Sequence, residues 1–221
     1  MATIRFRDGR LLLYSPVFLT PALRQELDRL GRVAFLVSPN KIHNQTLAAY
    51  RDAFPEAALH APPGLPERRP DIRFDAVLGN ETNPAWSEEL DQALTAGNVF
   101  FTEALLLHRR SRTLLVGDLI ENIDEHTLSR IGRSIAALFG VPSRPAASPE
   151  FRFYTHDAGA AATALDRVRE WPFERIFLCH GGLIERDAKA VFEAVSRELV
   201  GKAQRRGRLT RALLRRLADL Q

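Results

Sequence analysis

Thr113-Leu-Leu-Val-Gly-Asp118 and Arg175-Ile-Phe-Leu-Cys-His180 are two short apolar runs, each followed closely by a side chain that can bind a metal or a proton. Apolar runs of this length bounded by polar residues read as strands buried on both faces. A third, Val33-Ala-Phe-Leu-Val37, runs into Ser38-Pro-Asn-Lys-Ile-His-Asn44. A polar residue at the carboxyl end of a buried strand is held rigidly while the next loop opens to solvent, so chemistry is expected at these three strand ends.

Outward from Thr113, the run Ala104-Leu-Leu-Leu107 and the polar Arg109-Arg-Ser-Arg112 complete an antiparallel hairpin. With its turn centred between Arg110 and Ser111, the register sets Glu103 opposite Asp118. Two opposed carboxylates are destabilising unless a metal, a shared proton or a nearby Arg compensates, or unless the register slips by one residue. Glu103 is therefore a candidate fourth ligand or general base.

Towards the N-terminus, Thr3–Arg7 and Leu11–Tyr14 read as a hairpin of two edge strands turning at Asp8-Gly9. Thr20-Pro21 opens a helix carrying Leu23, Leu27 and Leu30, which Gly31 stops. A second helix carries Leu47, Tyr50 and Phe54, and Ala58–Ala61 is a further strand. Residues 62–70 hold four prolines and read as an irregular crossing without helix. Phe74–Leu78 is another strand, followed by a polar stretch up to the hairpin. Beyond Asp118, helices are predicted at about 124–138, at 158–170 and from about Arg186, with a loop at 141–149. Strands clustered in both halves with helices between them predict two sheets packed face to face with helices outside.

The chain has 221 residues, 45% hydrophobic and 26% charged, enough for one sizeable core and hence a single domain over 1–221. No stretch approaches the ~18–20 apolar residues of a membrane span, and Met1–Asp8 lacks the apolar core of a secretory signal, so a cytoplasmic protein is expected. The lone Cys179 excludes Cys-rich zinc sites, which leaves His, Asp, Glu or Asn for any metal, and an inert buried thiol is its expected state. Of the net charge of +4, residues 201–221 carry seven cations against Asp219 alone, so the preceding body is slightly acidic. That distribution argues against a specific nucleic-acid surface. It leaves a basic amphipathic helix at about 203–221, with Leu209, Leu213, Leu217 and Leu220 at helical spacing, expected to dock on the body through its leucines. Ser38 has no Gly-x-Ser-x-Gly elbow, and no Walker or dinucleotide glycine pattern is present. His60, His126 and His156 lack partner spacing, and His108, which ends its hairpin strand away from the candidate site, is expected to be exposed.

The order of elements, with Gly117-Asp118 after the hairpin and His180-Gly181 after the last strand, resembles the metallo-β-lactamase fold superfamily over nearly the whole chain. The resemblance implies a mixed α/β (α+β) chain folded as a four-layer αββα sandwich. In that family the strand after the first helix ends in His-x-His-x-Asp-His, a later His sits in Gly-His-x-x-Gly-Ser, and the Gly-Asp carboxylate bridges two metals. Laid on Pro39–Asn44, the first two His become Pro39 and Lys41, the Asp becomes His43 and the last His becomes Asn44. The later His becomes Asn98. One of the family's two metal sites thus has no ligands left, whereas the other keeps His43, Asp118 and His180. The Ser-Pro-Asn-x-x-His loop and the Arg-Arg-Ser-Arg-Thr-Leu hairpin look like an uncharacterised branch, a domain of unknown function.

Two imidazoles and a carboxylate leave a position for water, the composition of a catalytic rather than a structural zinc site, and iron or manganese suits the same donors. The resemblance therefore implies either one divalent metal ion and hydrolysis of a small-molecule substrate, or a non-catalytic binding or scaffold protein with no metal. Asp118 and Glu103 are the catalytic candidates, and Asn40, Lys41 and Asn44 the substrate-binding ones. Lys41 either repels a second cation, replaces it electrostatically or orients an anionic substrate. The alternative for the same residues is structural: a strand-end Asp capping a turn, a His-Gly-Gly turn, and Asn40, His43 and Asn44 capping a helix. Oligomeric state is left open.

Overall fold

A computed structural model describes residues 1–123 and 144–218, with side chains given through residue 207. The helix expected at about 124–138, His126, the start of the 141–149 loop and the side chains of the four tail leucines lie outside it.

The first sheet has the order β1 (Ala2–Arg5), β2 (Arg10–Tyr14), β3 (Arg32–Val37), β4 (Ala58–Ala61) and β5 (Ala76–Val77). The β1–β2 turn forms at Gly9, whose φ of +82° suits glycine. β2 is not an edge strand, which corrects the sequence reading: the chain returns through α1 (Pro21–Leu30) and lays β3 parallel on its free side. Residues Leu11–Tyr14 are consequently fully buried. Thr20 caps α1 by accepting from Leu23 N at 3.2 Å, and α2 (Leu47–Ala53) buries Leu47 and Tyr50. Residues 62–70 are not free of helix: α3 (Leu65–Arg68) forms there. Its Pro66 falls in the first turn, where a missing N–H costs nothing, and Leu65 anchors it.

The second sheet has the order β6 (Leu90–Leu94), β7 (Ala104–His108), β8 (Thr113–Val116) and β9 (Arg175–Leu178), the last pair parallel. The hairpin register is the predicted one, with Leu106 opposite Leu115, Leu107 opposite Leu114 and His108 opposite Thr113. β6 falls in the stretch read as polar. Leu-Asp-Gln-Ala-Leu has little strand propensity, and pairing with β7 makes it a strand. A short helix for which the sequence reading has no counterpart follows the 141–149 loop, at α4 (Pro149–Tyr154), with Ser148 Oγ accepting from Phe151 N. Then follow α5 (Ala158–Arg169) and α6 (Ala188–Ala218), the latter continuous with the basic tail.

Alternation along the strands separates three apolar layers. Leu12 and Tyr14 of β2, Phe35 and Val37 of β3, Leu106 of β7 and Leu115 of β8 share one core between the sheets. Leu11 and Leu13 face the other way, packing with Leu27, Leu47 and Tyr50 of α1 and α2. Leu105, Leu107, Leu114 and Val116 pack with Phe151, Leu165, Phe192 and Leu199 of the C-terminal helices. The layers are therefore helix, sheet, sheet, helix, as the resemblance implied. Among the described residues, no helix is long and apolar enough to cross a membrane.

Candidate metal centre

Because β8 and β9 are parallel, their carboxyl ends share one edge of the second sheet, where Cys179 N donates to Val116 O at 3.2 Å. The first sheet is tied to that edge by two bonds, Tyr14 Oη donating to Ala104 O at 2.9 Å and Ala104 N to Pro39 O at 2.7 Å. The three strand ends picked out by sequence thus converge. His43, Asp118 and His180 each offer one ligand atom, all within 4.8 Å of one another. His43 Nε2 lies 3.1 Å from both Asp118 oxygens and His180 Nε2 lies 3.0 Å from Oδ1, with ring centroids 5.4 Å apart.

Beneath the cluster, Glu103 is fully buried across from Asp118, as the register required. Its carboxylate accepts from the amides of Gly117, Asp118 and Leu119 at 2.9, 2.6 and 3.2 Å. Asn40, also fully buried, resolves the opposed charges by donating Nδ2 to Glu103 Oε2 at 3.1 Å and to Asp118 Oδ2 at 2.8 Å, while its Oδ1 accepts from Ile42 N. Burial pushes the Glu103 carboxyl up, and the Asp118 charge adds to it. Burial acts the same way on Asp118, but hydrogen bonds from His180 and His43 outweigh it and hold that carboxyl well below the usual range. The bond to Asp118 in turn raises His180, against the effect of burial.

The cluster floors a cleft of ≈ 510 Å³ that also meets Phe18, Ile42, Asn44, Glu121 and Glu150. Of the residues read as substrate-binding, only Asn44 lines it, its Nδ2 donating to Lys41 O at 2.8 Å. Lys41 Nζ lies 4.6 Å from the centroid of the Phe100 ring, and Asn98 accepts from the amides of Phe100 and Phe101. Glu121, raised to about 7 chiefly by burial, escaped the sequence reading because it follows no strand. Ser15, which follows β2, escapes as well, because the strand-end rule addresses buried strands and the sequence reads β2 as an edge strand. Burial pushes the Cys179 thiol up to about 12, which fits an inert thiol.

The donors suit a metal. Two imidazole nitrogens and a carboxylate oxygen converge from three strand ends, and both rings turn to the one Asp118 carboxylate. The DIM-1 metallo-β-lactamase exposed to ceftazidime has a similar structure, with TM-score 0.57 and 13% identity over 89% of this chain and 83% of that one. The metal-soaked flavodiiron core of Flv1 from Synechocystis sp. PCC6803 reaches TM-score 0.61 at 15% identity, over 90% of this chain and 51% of that one. FIM-1 from Pseudomonas aeruginosa in its mono-zinc form reaches 0.57 at 12%, over 91% and 89%. These likenesses show the fold. No curated protein matches the sequence. The family model that does match covers residues 1–138, which include β1 to β8 and two of the three cluster ligands, and the chain belongs to that family, a domain of unknown function (DUF4336), on a metallo-β-lactamase-like fold.

Proposed function

We propose that the chain is a hydrolase dependent on a single metal ion held by His43, Asp118 and His180. The observation that carries this reading is the convergence of three ligand atoms within 4.8 Å on the floor of an open cleft. When bound, a divalent cation supplies Lewis acidity and brings the pKa of a coordinated water towards neutrality. The chain's own residues limit the site to one ion: Asn40 occupies Asp118 Oδ2, and Lys41 and Asn98 stand where the family's second site has ligands. Glu103 acts as a positioning residue, since both its oxygens are taken by amides that set the Asp118 loop. Small-molecule substrates would enter the cleft that Phe18, Ile42, Glu121 and Glu150 line. Zinc, iron and manganese all suit the donor set.

Metal analysis of protein purified without a His tag and incubated with each ion tests the proposal. About one ion per chain and a raised melting temperature are expected, both lost in His43→Ala and His180→Ala. Two ions per chain would refute the single-ion reading. Less than about 0.1 ion per chain with no thermal shift would favour a binding or scaffold protein that keeps the fold without the chemistry.

A further inference from the structure

Ser15 ends β2 with a φ of +55°, in the left-handed region that a non-glycine residue seldom enters without a reason. Among the described residues, Arg112 and Asp187 share this feature, but they lie in the β7–β8 turn and at the entry to α6, where such a conformation serves chain reversal. Ser15 is 6% exposed, and its amide still donates to Val37 O at 2.8 Å, so sheet pairing persists through the distortion. The bend places its hydroxyl 2.7 Å from His43 Nδ1.

The proton count at His43 makes that contact informative. Asp118 as a carboxylate can only accept, so without a metal a neutral His43 ring facing it carries its proton on Nε2. Nδ1 then accepts from the Ser15 hydroxyl. A metal at Nε2 requires the other tautomer, with the proton on Nδ1 and the Ser15 oxygen accepting. A hydroxyl serves both states by rotating about one bond, which neither a carboxylate nor an ammonium can do.

We propose that Ser15 is a positioning residue of the centre, its hydroxyl holding the His43 ring and pairing with Nδ1 in either tautomer, so that Nε2 faces the metal position. The inference rests on the metal-site reading above and adds a role for a residue outside the ligand set. It also accounts for the backbone strain, since a relaxed strand end would carry the hydroxyl elsewhere.

Zinc affinity, measured by competition with a chromophoric chelator, and the ¹⁵N NMR shift of His43 Nδ1 in the metal-free state test it in the full-length wild type, Ser15→Ala and Ser15→Gly. Both variants should bind zinc about 10–100-fold more weakly. In the metal-free state Asp118 keeps the proton on Nε2 in all three proteins, and the Nδ1 resonance of both variants should move from the wild-type position towards that of an acceptor nitrogen with no donor. Glycine relieves the φ strain, so Ser15→Gly remains readable if Ser15→Ala does not fold. Zinc affinity in Ser15→Gly within about threefold of the wild type would overturn the proposal. So would weaker binding with an unchanged Nδ1 shift, because a merely structural role predicts that result. If the wild type itself binds no metal, the hydrolase reading fails, while the metal-free Nδ1 shift still decides whether the Ser15 hydroxyl pairs with the ring.

Discussion

His60 lies inside the sandwich at 4% exposure, its ring 4.7 Å from that of Trp86, and among the described residues neither ring nitrogen has a hydrogen-bond partner. Burial pushes its pKa down to about 4. In the unfolded chain an imidazole titrates near 6.5, so between about pH 6.5 and 4 the unfolded state binds a proton that the native state refuses. Stability is therefore lost as pH falls through that window, by roughly 3 kcal/mol in total for this one group. His60→Leu removes the titration. The stability of the variant relative to the wild type should be constant above about pH 7 and rise by roughly 3 kcal/mol by pH 4, as read from urea unfolding. A relative stability that stays flat with pH would show that His60 is solvated or partnered. At this scale the sequence was informative where a side chain followed a strand that reads as buried, as Asp118 and His180 do. It was silent on His60, whose burial comes from Trp86 and Phe35, distant in the chain.

At the scale of elements, the loop after β9 shows how closely the site is built. Gly181 has a φ of +95°, and a Cβ there would lie 2.0 Å from the Asn122 carbonyl oxygen. Among the described residues, a Cβ on its neighbour Gly182 would meet only the Asn122 side-chain nitrogen, at an ordinary 3.5 Å. Asn122 holds this loop by donating N to His180 O at 3.2 Å and accepting from Gly182 N at 3.0 Å. Gly181→Ala must therefore strain the backbone or push His180 away, at a cost of roughly 2–4 kcal/mol. A fall in melting temperature of about 5–15 °C is expected, together with weaker metal binding, whereas Gly182→Ala should change both little. Equal effects from the two substitutions would refute this account. The β7–β8 register was legible because a short polar turn between two apolar runs leaves little freedom in pairing. β6 was not, since its partner and not its composition makes it a strand.

For the whole molecule, α6 joins the core to the basic tail. Phe192, Val195 and Leu199 are buried in the core that the second sheet shares with the C-terminal helices, Ala203 is buried further along, and the helix runs on to Ala218. We propose that the four tail leucines extend this docking, each contributing roughly 1.5 kcal/mol or more if buried, whereas the tail's cations offer only salt-sensitive attraction to nucleic acid. Deleting residues 205–221 should then lower the melting temperature by roughly 2–4 °C for each kcal/mol lost. An unchanged melting temperature, combined with salt-dependent DNA binding by the intact chain alone, would instead make the tail an interaction device.

The apolar strands, the helices packed on them, the hairpin register and the strand ends at which polar side chains had to emerge are legible in the amino-acid sequence. These follow from local periodicity and turn chemistry, which act over a few residues. The interior place of β2, the donation of the Asn40 amide to two buried carboxylates and the reach of Ser15 to His43 come instead from tertiary packing. Each depends on a contact between segments far apart in the chain, 63 and 78 residues for the Asn40 bonds and 28 for Ser15. The packing of one sheet on the other sets those distances, and no local pattern encodes them.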